Sequence, residues 1–271
     1  MNASKRIALL TSSSQRHRWV AARLAESAEL ACVIAETKPT QNSGSTPDDA
    51  VEIKDYFNDR DRAEKRWFGD GPDHFSQIAG RSFEVPWQGA NSIEVFEHLK
   101  DARIDRVFLF GSSIIRDPIL SFYHGRIVNM HLGLSPYYRG SATNYWPLVD
   151  GLPECVGVTV HHASAIVDGG KILAQARPDI NINDGIHDVG CKTIIAGAAL
   201  LQRFAGWNGD LPEGISQSGH GKLCRRADFN ISSLRQAKAN MARGLLKEYL
   251  SAKLARDAVY PIIEAGPGRF N

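Results

Sequence analysis

Three polar residues of complementary chemistry are spaced so that they can meet at one site. Asn129 and His131 lie two residues apart, directly after the β-branched pair Ile127-Val128, which is typical of the end of a buried strand. Side chains two apart on an extended backbone project to the same side, so an amide and an imidazole can act on one bound group. Asp168 precedes two glycines, which permit a tight turn that holds its carboxylate at a loop tip.

This set of side chains suits attack on a carbonyl carbon. An amide donates to the oxyanion that develops, an imidazole stabilises charge or moves a proton near neutral pH, and a carboxylate orients the imidazole or accepts the proton. The sequence contains neither a Gly-x-Ser-x-Gly elbow nor a Cys/His signature that would supply a nucleophile. We therefore expect the substrate to bring its own nucleophile, most simply an amine.

Each residue also has an ordinary structural interpretation. Asn129 could cap the turn after a strand, His131 could be a hydrogen-bonded loop histidine, and Asp168 could simply form a turn. His161 and His162 invite a metal site, but adjacent residues on a strand face opposite sides and cannot chelate one ion together. Without a His-x-x-x-His or Cys-x-x-Cys spacing, the sequence predicts no metal site.

The elements around these residues follow an α/β pattern. A strand at 7–10, a helix at 15–29 and a strand at 30–35 form a βαβ opening. Its first turn, Thr11-Ser12-Ser13-Ser14, lacks the Gly-x-Gly-x-x-Gly signature, which argues against a dinucleotide cofactor. The serines could hydrogen-bond a ligand, although capping of the helix is their commoner role.

Later elements continue this alternation with one interruption. Residues 38–80 form an insertion with a charged, aromatic helix at 51–67, interpreted as a lid, a wall of the substrate site or a surface helix. In it, Arg62, Lys65 and Arg66 could hold a phosphorylated acceptor, but a solvated face is commoner. The other predicted elements are strands at 82–85, 107–110, 156–162 and 171–176, and helices at 92–102, 184–204 and 232–250. We expect a catalytic domain at 1–209 and a small, helix-containing C-terminal appendage at 210–271.

Several motifs, dispersed in a consistent order, resemble one family. From 127 to about 176 the chain is similar to the folate-dependent formyltransferases, which formylate amines on glycinamide ribonucleotide, methionyl-tRNA and nucleotide-linked amino sugars. The matching pieces are Asn129-Met130-His131, Leu134-x-Pro136, Arg139-Gly140, Gly157-Val158-Thr159-Val160-His161 and Asp168. Residues 105–116 give weaker support.

The resemblance implies a fold, a reaction and a set of site residues. The fold is a Rossmann-like α/β formyltransferase fold, in which a mostly parallel twisted sheet is flanked by helices. The reaction is transfer of a formyl group from 10-formyltetrahydrofolate, the co-substrate, to a primary amine, with Asn129, His131 and Asp168 as the catalytic trio. The implied folate wall consists of Phe110, Gly111, Ser112, Ser113, Ile114 and Ile115, together with Val167 in the 163–168 loop.

Further residues are expected on the acceptor side. His161 matches a family histidine that faces the cleft, although it could equally be a satisfied, partly buried histidine. Arg139 could bind phosphate or carboxylate, or pack against Tyr137 or Tyr138. Ser12 completes the expected substrate-binding set.

The chain departs from the family pattern in the loop after His131. Many relatives carry Ser two residues after this histidine and Leu before the proline, whereas this chain has Gly133 and Ser135. The hydroxyl has moved along the loop. Any role carried over from the family serine is therefore in doubt, while the catalytic trio is intact.

The acceptor is expected to be a small-molecule amine. The C-terminal appendage is helix-rich by pattern and does not resemble the β-barrel appendage of methionyl-tRNA formyltransferases, which favours a nucleotide-linked amino sugar. Two alternatives stay open: a 10-formyltetrahydrofolate hydrolase, in which water replaces the amine, and a non-catalytic folate-binding relative.

Composition excludes several other classes of protein. The 271 residues are 43% hydrophobic and 23% charged, as in an ordinary globular protein, and the net charge of +2 gives no nucleic-acid footprint. Basic residues after Lys222, including Arg225, Arg226, Arg235 and Lys238, are interpreted as a solvated helix face. The four cysteines lack paired spacing, and no signal peptide or membrane span is recognisable, so a cytoplasmic location is expected. The sequence leaves the oligomeric state open, and a homodimer is compatible with it.

Overall fold

A seven-stranded sheet forms the centre of the chain, with strand order β3-β2-β1-β4-β5-β7-β8. The structure is a computed structural model that describes residues 5–38, 46–219 and 221–263. The strands are β1 (Arg6–Ser12), β2 (Glu29–Thr37), β3 (Arg81–Pro86), β4 (Arg106–Phe110), β5 (Ile127–His131), β6 (Tyr138–Gly140), β7 (Val158–His162), β8 (Ile172–Ala176) and β9 (Lys222–Cys224). The first five strands of the order pair in parallel, and β7 and β8 are antiparallel to their neighbours. The expected fold class, a mostly parallel sheet flanked by helices, is confirmed.

Helices cover both faces of the sheet. They are α1 (Gln15–Ala25), α2 (Pro47–Phe68), α3 (Ile93–Asp101), α4 (Ile119–Phe122), α5 (Trp146–Asp150), α6 (Ile186–Ala205), α7 (Ile231–Ala242), α8 (Leu245–Ser251) and α9 (Lys253–Val259). Alternate residues of β1 enter different cores: Ile7 and Leu9 pack with α1 and α6, whereas Ala8 and Leu10 pack with α3 and α4. Because both faces are buried, the central strands are apolar throughout rather than alternating.

The predicted elements agree with the structure except at their ends and in the C-terminal part. The single helix expected at 232–250 is wrong: α7 ends at Ala242, and α8 begins after Gly244. Gly244 has a φ of +90°, a left-handed conformation that a helix cannot continue through and that glycine adopts without steric cost. The final eight residues of the sequence, part of the expected loose C-terminal end, lie outside the described residues.

The insertion at 38–80 is dominated by α2, which begins earlier than expected. Thr46 caps the helix by accepting a hydrogen bond from the Asp49 backbone N–H at 3.1 Å, and Pro47 occupies the first turn, where its missing N–H costs nothing. Ile53 and Phe68 are buried. Residues 39–45 of the insertion are outside the described part of the chain.

The C-terminal part is joined to the rest by main-chain pairing as well as by helix packing. Strand β9 pairs in parallel with β6, and Ile215 forms an antiparallel bridge to Ile172 of β8. Helix α7 is tied to α2 because Arg235 forms ion pairs with Asp49 and Glu52, each at 3.0 Å. The four cysteines are free and buried. Among the residues that the structure describes, no helix has the length and apolar character needed to cross a lipid bilayer.

Candidate active site

A large cleft opens at the carboxyl ends of the central strands, where open α/β sheets bind their ligands. Its volume is about 1420 Å³, whereas a pocket for one drug-sized ligand measures roughly 300–1,000 Å³. Residues of β4, β5, β7, α1, α2 and the 163–168 loop line it. The cleft is therefore large enough to hold two ligands side by side.

The predicted trio meets at the centre of this cleft. Asn129 and His131 end β5, and Asp168 approaches from the loop between β7 and β8. The distance from Nδ1 of His131 to Oδ2 of Asp168 is 3.4 Å. His161 of β7, paired in register with Asn129, lies 3.8 Å from Oδ1 of the same carboxylate. An amide, a carboxylate and a pair of imidazoles therefore share one small space.

His161 holds the Asn129 amide in one orientation. Nδ1 of His161 lies 2.8 Å from the His162 carbonyl oxygen, so this nitrogen carries the proton and donates. Nε2 is then an acceptor, and Nδ2 of Asn129 donates to it at 2.9 Å. The second Asn129 N–H is left for a group in the cleft. His162 faces the other way, with Nε2 2.8 Å from the Pro212 carbonyl oxygen, as expected for adjacent strand residues.

Two opposing influences act on the charge of His131. Its Nε2 lies 3.1 Å from the Tyr138 carbonyl oxygen, which can only accept, so Nε2 carries the proton and Nδ1 faces Asp168. Burial lowers the pKa of His131 below 6.5, although the Asp168 carboxylate acts in the opposite direction. When Nδ1 takes up a proton, that proton lies between the imidazole and the carboxylate.

Asp168 is an ionised carboxylate held in an unusual backbone conformation. Burial alone would raise its pKa, but His131, His161 and the Gly140 N–H outweigh that effect and lower the pKa to about 2. The Gly140 N–H donates to Oδ2 at 2.9 Å. Asp168 has a φ of +49°, in the left-handed region where only a few side chains, Asp and Asn among them, are found with any frequency. Asp168 can thus accept a proton only from a group that is strongly acidified.

All seven residues of the expected folate wall line the cleft. The turn after β4 is held from below by Glu36, whose buried carboxylate accepts from the Ser113 N–H at 2.6 Å and from the Ser113 hydroxyl at 2.7 Å. Gly111 has a φ of +72°, and a Cβ there would lie 2.5 Å from Nε2 of His17. The Ser113 hydroxyl is therefore committed to the protein, whereas Ile114 and Val167 are exposed in the cleft.

The three expected substrate-binding residues are placed differently from one another. His161 and Ser12 line the cleft. The Ser12 hydroxyl, however, donates to the Glu36 carbonyl oxygen at 3.1 Å, and the side chain is buried. Arg139 lies on β6 and is not among the described residues that line the cleft.

The hydroxyl nearest to His131 comes from Thr143, not from Ser135. The Ser135 side chain is buried, and its Oγ has no hydrogen-bond partner among the described residues. The Thr143 hydroxyl donates to the Leu132 carbonyl oxygen at 2.5 Å and lies 3.4 Å from Nε2 of His131. A Cβ at Gly133 would lie 2.5 Å from that nitrogen and 2.7 Å from the Thr143 hydroxyl. Gly133 and Thr143 thus fit each other.

Sequence reasoning missed a set of basic and aromatic residues that line the same cleft, here called the basic wall. This wall consists of Arg16, Lys38, Tyr56, Arg60, Arg225, Arg226 and Phe229. Tyr56, Arg60 and Glu64 are spaced by four residues on one face of α2, a spacing that could have identified this face. Arg62 and Arg66, considered earlier, pair instead with Asp59 and with Asp188 of α6. Arg225 and Arg226, interpreted from the sequence as part of a solvated face, are exposed and also line the cleft.

The basic wall carries more positive than negative charge. Arg16 and Arg60 both form ion pairs with the single buried carboxylate of Glu64. Lys38 lies 5.8 Å from the centre of the Trp87 ring. Desolvation, together with the charge of Arg16, lowers its pKa to about 8. This side of the cleft therefore suits an anionic ligand that contains a ring.

Comparison with known proteins gives the same fold and family. The family model described as Formyl transferase matches residues 5–204. A methionyl-tRNA formyltransferase from Staphylococcus aureus is 28% identical over 161 residues, which cover 56% of this chain and 51% of that protein. The chain therefore spans about half the length of the curated relatives it matches.

Two solved structures show the likeness in three dimensions. A phosphoribosylglycinamide formyltransferase from Anaplasma phagocytophilum has a TM-score of 0.54 at 17% identity and covers 82% of this chain and 99% of that chain. A 4-N formyltransferase from Francisella tularensis has a TM-score of 0.53 at 17% identity, covering 83% and 78%. The resemblance drawn from the sequence motifs is confirmed: this chain belongs to the formyl transferase family.

Proposed function

We propose that this chain transfers the formyl group of 10-formyltetrahydrofolate to a primary amine of a small-molecule acceptor. The observation that carries the proposal is the meeting of Asn129, His131 and the ionised Asp168 carboxylate beside the wall at 110–115. The bound folate supplies an activated formyl carbon and a leaving nitrogen, N10. The volume of the cleft supports two ligands, as a transfer between two molecules requires.

Each member of the trio has one task in this reaction. The free N–H of Asn129 donates to the formyl oxygen as negative charge develops on it. Asp168 takes a proton from the attacking amine, whose acidity rises as its new bond to carbon forms. Nδ1 of His131, facing Asp168, takes part in delivering a proton to N10 as the bond between carbon and N10 breaks. One bond forms, between the amine nitrogen and the formyl carbon, and one breaks, between that carbon and N10. The proton that leaves the amine ends on the folate.

We propose a nucleotide-linked amino sugar as the acceptor. Support comes from the basic wall, where Arg16, Lys38 and Arg60 can face a phosphate group and where Tyr56 and Phe229 offer ring surfaces. Part of the wall adjoins the 110–115 turn, since a Cβ at Gly111 would lie 3.5 Å from Nζ of Lys38, so an acceptor phosphate held there would lie beside the folate. Arg16 and Arg60 share the single carboxylate of Glu64, so the wall keeps a positive excess that an acceptor with a phosphate would neutralise and a free amino sugar would not.

The test incubates purified protein and 10-formyltetrahydrofolate with one acceptor at a time: amino-sugar nucleotides, the same amino sugars without nucleotide, glycinamide ribonucleotide and methionyl-tRNA. Mass spectrometry reports the formylated amine, and a formate assay reports hydrolysis. We expect formylation of an amino-sugar nucleotide and much slower reaction of the free sugar. Formate release at full rate without any amine would establish the hydrolase alternative instead, and folate binding without either product would establish a non-catalytic protein.

A further inference from the structure

The described residues 210–219 and 221–229, which follow the residues matched by the family model, hold both loops that shape the active site. Ile215 exchanges two backbone hydrogen bonds of 2.8 Å with Ile172, at the beginning of β8. Strand β9 pairs with β6, and the Cys224 carbonyl oxygen accepts from the Ser141 N–H at 2.8 Å. Gly140, whose N–H donates to Asp168, is the last residue of β6. The segment therefore acts as a strap across the 168–170 and 138–141 loops.

One side chain of this strap contacts the backbone of the Asp168 loop directly. Nε2 of Gln217 donates to the carbonyl oxygens of Asp168 and Gly170, each at 2.7 Å. A primary amide has two N–H groups, and both are used here on carbonyls that flank one glycine. Gln217 thereby fixes the orientation of two peptide groups in the loop.

The orientation of the Asp168 carboxylate depends on those peptide groups. Asp168 is left-handed, and such a conformation persists only where the surroundings enforce it. Gly169 and Gly170 follow, and glycine backbones are intrinsically the least restricted. A Cβ at Gly170 would overlap the His162 carbonyl oxygen, so the loop rests directly on β7 on that side. The carbonyl groups of the loop are held by the Gln217 amide.

We propose that Gln217 is a positioning residue for formyl transfer: through two backbone carbonyls, it holds Asp168 in the orientation in which its carboxylate meets His131 and the Gly140 N–H. The proposal rests on the proposed function for its kinetic consequence. It adds that the C-terminal segment, outside the family match, is a working part of the active site.

The test compares Gln217→Ala and Gln217→Glu with the wild-type protein. Gln217→Ala removes the donor, and Gln217→Glu keeps the shape but places an acceptor against two carbonyl oxygens. We expect both to lower kcat by roughly 10- to 100-fold, the size of effect that a small misplacement of a reacting group can have. KM for folate and acceptor, and Tm, should stay close to wild type. Gln236→Ala, which removes a single hydrogen bond of 2.8 Å to Asn240 on α7, is the matched control and should leave kcat unchanged.

A second readout does not depend on activity. Hydrogen exchange of the Gly140 amide should be faster in Gln217→Ala than in wild type, because its acceptor on Asp168 is no longer held in place, and it should be unchanged in Gln236→Ala. If the wild-type protein transfers no formyl group but the Gly140 amide still exchanges faster in Gln217→Ala, the proposed function is wrong and the positioning role is supported. Unchanged exchange, unchanged kcat in Gln217→Glu, or a loss of kcat matched by a loss of Tm would overturn the positioning role.

Discussion

Asn129 donates its side-chain amide to Nε2 of His161 across 2.9 Å, between two neighbouring antiparallel strands. Nδ1 of the same imidazole donates to the His162 carbonyl oxygen, so the direction of the bond is fixed. If the side-chain oxygen and nitrogen of Asn129 exchanged places, the oxygen would face Nε2 of His161, and both atoms are acceptors. The oxyanion donor of the proposed reaction is set before any substrate arrives.

Replacing the Asn129 amide should stop turnover without unfolding the protein. Asn129→Asp keeps the shape but replaces the donor with a negative charge beside the developing oxyanion, and removing one such donor costs about 10²–10³ in kcat. Kinetics and thermal unfolding of the purified variant measure both effects. Asn183→Asp, at an exposed position in the loop between β8 and α6, is the control. An Asn129→Asp enzyme with a tenth of wild-type turnover would remove this residue from the mechanism.

Two adjacent histidines should respond differently to the same substitution. His161→Phe removes the acceptor that orients Asn129, so we expect kcat to fall by about 10- to 100-fold, as for other residues that orient a reacting group. His162→Phe, whose imidazole points to the Pro212 carbonyl oxygen, should change kcat little. Steady-state kinetics of the two variants decides between them. Equal losses would show that His161 acts only by packing.

The close fit between Gly133 and Thr143 should be visible in a double variant, in which a substitution at one position recovers activity and stability lost by a substitution at the other. Gly133→Ser places a side chain 2.5 Å from Nε2 of His131 and 2.7 Å from the Thr143 hydroxyl, and Thr143 is buried and cannot move aside cheaply. We expect lower kcat and lower Tm, because His131 must shift. Adding Thr143→Gly, which removes both the Cβ and the hydroxyl that lie 2.7 Å from the new side chain, should recover part of both, whereas Thr143→Ala keeps the Cβ and should recover less. Losses that simply add in the double variant would contradict the proposed fit.

Lys38 should tie acceptor binding to pH. Its pKa of about 8 means that its positive charge disappears as the pH rises through that value, so the KM of an anionic acceptor should increase above pH 8. In Lys38→Met the acceptor KM should be high at every pH and lose this dependence. The KM for folate should change less, although Nζ of Lys38 would lie 3.5 Å from a Cβ at Gly111. Lys65→Met, on the outer face of α2, should behave as wild type. An acceptor KM that does not respond to Lys38→Met would place the phosphate elsewhere.

Buried neutral histidines should make the protein less stable in mild acid. Burial lowers the pKa of His187 from 6.5 to about 4, and burial also lowers that of His17 well below its ordinary value. Between pH 6.5 and about 4, the pKa values of His187 in the unfolded and the folded chain, the unfolded chain binds more protons than the folded one. The free energy of unfolding therefore falls as the pH drops through this range. Urea unfolding across this range measures the slope. His187→Gln should flatten it, whereas His124→Gln, at an exposed position, should not; an unaltered slope in His187→Gln would assign the acid sensitivity to other groups.

Much of this architecture could be predicted because short-range patterns of apolar and polar residues specify it. The βαβ opening follows from apolar runs and their spacing, and Asn129 and His131 are brought to one side by the two-residue period of a strand. The break between α7 and α8 was missed because an isolated glycine within a helical pattern is usually tolerated; the tertiary structure gives Gly244 its left-handed conformation.

The sequence alone determined the kind of fold and singled out Asn129, His131 and Asp168 as candidates, because residue type and local period place them at strand ends and a loop tip; the wall at 110–115 was implied by the family resemblance. Only the tertiary structure decided that Asn129 is oriented by His161, that Asp168 is held by Gln217, and that Arg16, Lys38, Arg60 and Arg225 share one cleft. The physical reason is that these contacts join residues far apart in the chain. They depend on which face of each helix is buried and on how the C-terminal segment crosses the sheet, and no local pattern of side chains specifies either.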